Sequence, residues 1–149
     1  MAEAQRFKIF IAAYLVLEDN GKLLLHKRAN SGYEDGNYSL VAGHLDGAET
    51  AKHSIIREAY EEAGIKLTTE DLEVVHVTHR FTPTREYIDI FLKANKWQGQ
   101  VVNKEPHKCA ELAWFPKDNL PDNLILPVKH ALEQIDQAKT YSDFGWQNS

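Results

Sequence analysis

Apolar and β-branched residues are concentrated in six short stretches of the chain, each bounded by polar or glycine-bearing segments. Stretches of this length that are rich in Ile, Val, Phe and Tyr are typical of β-strands. The dipeptide Asn20-Gly21 between the first two stretches favours positive backbone φ and therefore predicts a tight hairpin. The predicted strands cover residues 7–17, 22–27, 38–45, 72–80, 87–93 and 110–115.

Two other segments have the spacing of amphipathic helices. The stronger one covers residues 49–63, where Thr50 is a suitable N-terminal cap and Gly64 a suitable C-terminal cap. A second helix is predicted over residues 128–138. The apolar stripe expected to pack the first helix on a sheet consists of Ile56, Ala59, Tyr60 and Ala63.

The order of these elements predicts one domain over residues 1–149 with α+β or α/β layering. Residues 95–100 are expected to form a turn that leads into Val101-Val102. The tail after Lys139 has weak periodicity, but its aromatic residues indicate that it docks on the domain. These residues are Tyr141, Phe144 and Trp146.

Composition and charge narrow the class of protein. The 149 residues have a mass of 17.0 kDa, a 43% hydrophobic fraction and a net charge of −5, which disfavours a protein that coats long nucleic acid. The single cysteine, Cys109, excludes an intrachain disulfide and a Cys-rich zinc site. The early apolar stretch 9–17 is too short to span a membrane. We expect a cytoplasmic protein without a membrane segment.

Three carboxylates gather on one side of the predicted first helix. At 100° per residue, Glu58, Glu61 and Glu62 lie within a sector of roughly 100°. Their mutual repulsion destabilises a helix unless a cation neutralises it, and hard oxygen ligands suit Mg²⁺ or Mn²⁺. The alternative is a solvated acidic face without a bound ion.

The residues around these glutamates follow a fixed spacing. Gly43 is followed after five residues by Glu49, and after seven more by the run Arg57-Glu58-Ala59-Tyr60-Glu61-Glu62-Ala63-Gly64-Ile65. This pattern resembles the Nudix box, G-x5-E-x7-R-E-U-x-E-E-x-G-U with U apolar, of the Nudix hydrolase superfamily. Every fixed position of the box is matched over residues 43–65. The resemblance implies a small MutT-like member with a mixed β-sheet between helices and a loop-helix-loop box.

The resemblance also implies a metal site and its supports. Glu58, Glu61 and Glu62 would hold Mg²⁺, with Mn²⁺ as a possible substitute, assisted by the backbone carbonyl of Gly43. Arg57 would orient a catalytic carboxylate through its planar guanidinium group.

The remaining catalytic roles concern three glutamates. Glu49 would brace the junction between the loop and the helix. The candidates for the general base are Glu58 in the box and Glu111, which precedes Ala113-Trp114-Phe115, where relatives often place a further carboxylate. A surface glutamate at the start of a strand is the structural alternative for Glu111.

Four residues outside the box are candidates for substrate contacts. The resemblance implies that Arg28 could reach a phosphate and that Asn123, in a Pro-x-Asn segment before the last helix, could read a purine base. The alternatives are a solvated arginine and a plain turn or N-cap role for the asparagine. Phe81 or Tyr87 could stack on a base, although aromatic residues in strands are more often part of the core. Further candidates for phosphate contacts near a predicted loop are His79, Arg80 and Arg85.

The resemblance implies metal-dependent attack of water on a nucleoside diphosphate that is linked to another group. A nucleoside or deoxynucleoside triphosphate, cleaved to a monophosphate and pyrophosphate, is the favoured substrate class. The alternatives are nucleotide sugars, dinucleoside polyphosphates, capped RNA ends, or a non-catalytic domain that senses a nucleotide. We expect a small-molecule nucleotide partner, no long nucleic acid, and a monomer or homodimer.

Overall fold

The computed structural model describes residues 5–147 of the chain. Within this part, eight strands and two α-helices follow one another, with a single 3-10 turn at Thr69–Asp71. The elements are β1 Phe10–Asp19, β2 Lys22–Arg28, β3 Tyr38–Ser39, β4 Val41–His44, α1 Ala51–Ala63, β5 Glu73–Phe81, β6 Glu86–Ala94, β7 Cys109–Pro116, α2 Leu126–Asp136 and β8 Tyr141–Phe144.

The strands form one mixed sheet in which β1 is central. The order is β3-β2-β1-β6-β5-β8, with β4 added beside β1 and β7 beside β2. Strand β1 pairs with β6 in parallel and with β2 and β4 antiparallel. The predicted strand 38–45 is divided into β3 and β4 because the two halves pair with different strands, β2 and β1.

Both faces of the sheet are buried, and each is covered by one helix. Alternate residues of β1 point to opposite faces, so Tyr14 belongs to the core beside α2 and Leu15 to the core beside α1. This arrangement confirms the expected mixed sheet between helices. No helix within residues 5–147 is long and apolar enough to cross a membrane.

Helix α1 has the two caps that the sequence predicts. The Thr50 side chain accepts a hydrogen bond from the His53 backbone N–H at 3.0 Å. Gly64 ends the helix in the left-handed region with φ 71°, and its N–H donates to the carbonyl of Tyr60. The helix itself starts at Ala51, two residues after the predicted start.

The predicted apolar stripe of α1 is wrong for Tyr60, whose side chain is 52% exposed. The fully buried apolar positions are Ile55, Ala59 and Ala63, which are spaced by four residues. This orientation turns Tyr60, about 100° from Ala59, toward solvent and brings Glu62 to the edge of the buried face.

The C-terminal part docks as expected. Helix α2 begins two residues before the predicted start because Pro127 fits the first turn of a helix. After α2, strand β8 pairs in parallel with β5. Trp146 then packs on Phe81, with ring centroids 4.8 Å apart, and its indole N–H donates to the carbonyl of His79 at 3.0 Å.

The segment between β6 and β7 is irregular, and Val101-Val102 does not form a strand. Its turn is held by an isolated bridge between Lys66 and Gln98. The Val102 N–H donates to the carbonyl of Ala63, so the segment runs along the C-terminal end of α1.

Candidate active site

Strand β4 lies close to helix α1 at Gly43, where the side chain of Glu58 fills the space beside the glycine. A Cβ atom at this position would overlap the carboxyl group of Glu58. Gly43 is held in register by its pairing with Ala13 of β1. A larger residue at position 43 would therefore displace the Glu58 carboxyl group, which occupies the space beside the glycine.

The three glutamates of the box differ in their exposure to solvent. The side chains of Glu58 and Glu62 are 16% and 11% exposed, whereas that of Glu61 is 52% exposed. Burial raises the pKa of Glu62 to about 9, and a hydrogen bond with Glu58 and the negative charge of Glu58 act in the same direction. The Oε2 atom of Glu62 is buried without a hydrogen-bond partner.

Arg57 gathers the carboxylates at the start and middle of α1. Its guanidinium donates to Glu49 Oε1 at 3.0 Å and to Glu58 Oε1 at 2.9 Å, and its Nη1 lies 3.6 Å from Glu61 Oε2. The hydrogen bond from Arg57 lowers the pKa of Glu49, and the backbone N–H of Asp46 adds to this effect. Glu49 thus joins the loop to the helix through Arg57.

The donor set fits a divalent cation, although Glu58 and Glu61 lie against Arg57 while Glu62 lies beside Glu58 and His26. Within residues 5–147, no three His, Cys, Asp or Glu side chains converge closely enough to hold an ion as they stand. However, Glu62 has an unpartnered buried oxygen, and Glu58 and Glu61 contribute negative charge beside it. Hard oxygen atoms crowded in this way are the ligands that Mg²⁺ and Mn²⁺ prefer.

Two residues that the sequence does not place in the metal site, His26 and Glu105, lie near Glu62. His26 Nε2 is 3.6 Å from Glu62 Oε1, and burial lowers the pKa of this histidine. His26 is two residues after Leu24, which packs beside α1, so strand alternation could have placed it on the same face. Glu105 precedes β7, and its charge also raises the pKa of Glu62. No local sequence signal marks Glu105.

A cavity of about 820 Å³ opens beside Gly43. It lies between the loop after β2 and the hairpin that joins β5 to β6, and strand β1 forms part of its floor. Guanidinium and aromatic groups dominate its walls. Those that matter below are Arg28, Tyr33, His44, Arg80, Arg85 and Tyr87.

Two of the four predicted substrate residues, Arg28 and Tyr87, line this cavity. Phe81 is turned toward Trp146 instead. Asn123 donates through its side-chain amide to the carbonyl of Gly36 at 2.9 Å. Neither Phe81 nor Asn123 is among the lining residues.

Glu111, the second candidate for the general base, lies on β7 opposite Lys27 of β2. Its carboxylate accepts a hydrogen bond from the Tyr38 hydroxyl, and this bond raises the pKa of Tyr38 to about 12. The carboxylate is thus engaged by a neighbouring side chain, while Glu58 lies beside Gly43 at the edge of the cavity.

The fold and the box together define the class of protein. The family model described as NUDIX domain matches residues 8–139. The chain belongs to the NUDIX family.

Several curated relatives share part of the sequence. An NAD-capped RNA hydrolase NudC from Shigella dysenteriae is 29% identical over 111 residues, which are 74% of this chain and 38% of the relative. An 8-oxo-dGTP diphosphatase from Escherichia coli is 23% identical, covering 76% of this chain and 88% of the relative. An ADP-ribose pyrophosphatase from Methanocaldococcus jannaschii is 28% identical, covering 71% of this chain and 61% of the relative. The chain therefore spans only about two-fifths of the NudC relative.

Solved structures have the same fold. A MutT NUDIX hydrolase from Burkholderia pseudomallei superposes with a TM-score of 0.78 at 26% identity, covering 86% of this chain and 98% of that one. A MutT protein from Methanosarcina mazei superposes with a TM-score of 0.75 at 21% identity, covering 90% of this chain and 97% of that one.

Proposed function

We propose that this protein is a metal-dependent hydrolase that cleaves a nucleoside diphosphate linked to another group. The favoured substrate is a nucleoside or deoxynucleoside triphosphate, which would yield a monophosphate and pyrophosphate. The observation that carries the proposal is the buried, unpartnered oxygen of Glu62 beside Glu58, whose carboxyl group lies against Gly43 in the lining of a cavity that also contains three arginines. Acidic and basic groups side by side suit a substrate that brings phosphate and metal together.

The cation would be held by Glu58, Glu61 and Glu62, with the carbonyl of Gly43. The chemistry that a bound Mg²⁺ or Mn²⁺ supplies is polarisation of the phosphate oxygens and neutralisation of charge on the leaving group. Arg57 keeps Glu58 in place through the 2.9 Å hydrogen bond and ties it to Glu49.

Of the two candidates for the general base, Glu58 has the better support. Its carboxylate is partly buried, is oriented by Arg57, and lies against Gly43 at the edge of the cavity. A base must lie within hydrogen-bond reach of the proton that it removes. Glu111 is engaged with Tyr38, which supports a structural role for it.

The cavity is the proposed site of the nucleotide. Its volume of about 820 Å³ falls within the range of small-molecule sites, roughly 300–1,000 Å³. Arg28 is assigned to a phosphate and Tyr87 to stacking on the base. Phe81 and Asn123 lie outside the lining, so a direct role for either requires movement of their side chains.

The alternatives to this proposal differ from it in the substrate or in whether the protein is catalytic. The named relatives act on NAD-capped RNA, 8-oxo-dGTP and ADP-ribose, each of which contains a nucleotide. A non-catalytic sensor is the second class of function. Retention of all the box glutamates favours catalysis over the sensor.

A substrate panel with matched variants tests the proposal. The purified protein is incubated with Mg²⁺ and nucleoside triphosphates, dinucleoside polyphosphates and nucleotide sugars, and products are separated by anion-exchange chromatography with a pyrophosphate assay. We expect turnover of at least one triphosphate, lost in Glu62→Gln and retained in Glu70→Gln, an exposed glutamate in the 3-10 turn. Tight nucleotide binding without turnover of any compound would contradict catalysis and favour the sensor.

A further inference from the structure

The wall of the cavity contains a buried ion pair that is held by two hydrogen bonds. Arg80 donates to Asp89 twice, from Nε at 2.5 Å and from Nη2 at 3.1 Å. The two side chains are only 9% and 1% exposed. The Arg80 guanidinium also lies over the ring of Tyr87, 3.9 Å from its centroid. Two bonds and one stacked ring therefore fix the orientation of Arg80.

One edge of this guanidinium is left for a ligand. The Nη1 group takes part in neither hydrogen bond to Asp89, and Arg80 is one of the residues that line the cavity. Because the carboxylate of Asp89 balances the charge of Arg80, this edge offers N–H donors with little net charge. Such an edge suits a neutral carbonyl oxygen better than a phosphate.

Arg85 provides the contrast. No carboxylate lies within ion-pair distance of Arg85 among residues 5–147, and its guanidinium stacks on the ring of Phe10 at 4.7 Å. Its charge is not balanced locally and is available to a phosphate. The cavity thus separates a neutral donor, Arg80, from a charged one.

The described lining holds no anionic or carboxamide acceptor for an amino group of a base, and its other polar side chains can donate a hydrogen bond as well as accept one. Among the lining residues there is no carboxylate and no carboxamide. The polar groups besides the arginines are His44 and hydroxyls such as Ser39, Thr82 and Thr84. A keto oxygen would meet a fixed donor at Arg80, whereas an exocyclic amino group would leave that donor unpaired, which is costly in a buried site.

We propose that Arg80, positioned by Asp89, makes this cavity selective for bases with a keto group over bases with an amino group at the same ring position. The inference rests on the proposed function only in placing a nucleotide in this cavity. It predicts that ITP is preferred to ATP, and UTP to CTP. The members of each pair are nearly equal in size and differ mainly in the keto or amino group.

Binding and turnover are measured separately. Dissociation constants of IMP, AMP, UMP and CMP are determined by calorimetry on the protein in a chelator, and kcat/KM is determined for the four triphosphates with Mg²⁺. Wild type is expected to favour the keto member of each pair by about tenfold or more, the usual effect of one well-placed base contact. Equal affinities within both pairs, or no measurable binding of any of the four, would overturn the inference.

The variants identify the residue responsible. The double variant Arg80→Gln with Asp89→Asn removes both charges together, so no unpaired buried charge is left. It is expected to bring the keto-to-amino ratio close to one, whereas Arg85→Gln weakens binding equally for both members of a pair. Lys129→Gln, an exposed change on α2, serves as the control and leaves the ratio unchanged. A ratio that survives the double variant would assign selectivity elsewhere.

The two proposals fail in different ways. Selective binding of keto nucleotides without turnover of any triphosphate would contradict catalysis and support the role of Arg80. Turnover with equal kcat/KM within each pair would support catalysis and refute the role of Arg80.

Discussion

Replacing Glu62 by glutamine should stabilise the metal-free protein while removing its metal-dependent activity. The carboxyl group is buried, and one of its oxygens has no partner, so ionisation of Glu62 opposes folding. Glutamine has nearly the same shape and can donate to Glu58 in place of the carboxylic proton. It carries no charge that would require hydration.

The size of the effect follows from the pKa of Glu62. Folding raises this pKa from its ordinary value of 4.5 to about 9, so between these values the folded chain holds a proton that the unfolded chain releases. Wild-type stability therefore falls as pH rises through this window, by about 1.4 kcal/mol per pH unit. At pH 7, about 2.5 units above the ordinary value, Glu62→Gln is expected to be more stable by up to about 3 kcal/mol.

The assay is urea denaturation in a chelator at pH 5, 6, 7 and 8, for wild type, Glu62→Gln and Glu61→Gln. The stability advantage of Glu62→Gln should be smallest at pH 5 and should grow with pH. Glu61→Gln is the matched control because the side chain of Glu61 is 52% exposed. A glutamine variant that is less stable than wild type, or an advantage that does not change with pH, would refute the argument that Glu62 is desolvated.

Three further substitutions test the supports of the site. Gly43→Ala should lower kcat at least about tenfold, because its Cβ would displace the carboxyl group of Glu58; unchanged kinetics would show that the contact is not needed. Arg57→Lys should also lower kcat, because the point charge of lysine cannot hold Glu49 and Glu58 together. The unfolding free energy should change by less than about 1 kcal/mol. A wild-type kcat in this variant would contradict the role of Arg57. Gly64→Ala should cost about 1 kcal/mol in denaturation experiments, since φ is 71° there, and an unchanged midpoint would count against the left-handed cap.

Local signals explain why much of the fold could be predicted from the sequence. Thr50 and Gly64 bound helix α1 because a side-chain cap and a left-handed residue act within one turn of the chain. The fixed spacing of the box likewise places Glu58 near Gly43, although their contact depends on how β4 packs against α1. The prediction that Tyr60 belongs to the apolar stripe of α1 is wrong because helical periodicity identifies an apolar face only to within one neighbouring residue.

The parts that could not be predicted depend on contacts between distant segments. Glu105 comes near Glu62 only because the irregular segment after β6 returns along the end of α1. The pairing of Arg80 with Asp89 depends on the register of β5 against β6. None of the three residues Glu105, Arg80 and Asp89 carries a local sequence pattern that indicates its partner in the fold.

The central claim is that the glutamates of α1 bind a divalent cation. Titration of the protein with Mn²⁺, followed by electron paramagnetic resonance of the free ion, measures this directly in wild type and in the double variant Glu58→Gln with Glu62→Gln. Wild type is expected to bind Mn²⁺ saturably in the presence of nucleotide, and the double variant to bind it at least about tenfold more weakly. Equal Mn²⁺ affinity in the two proteins would contradict it.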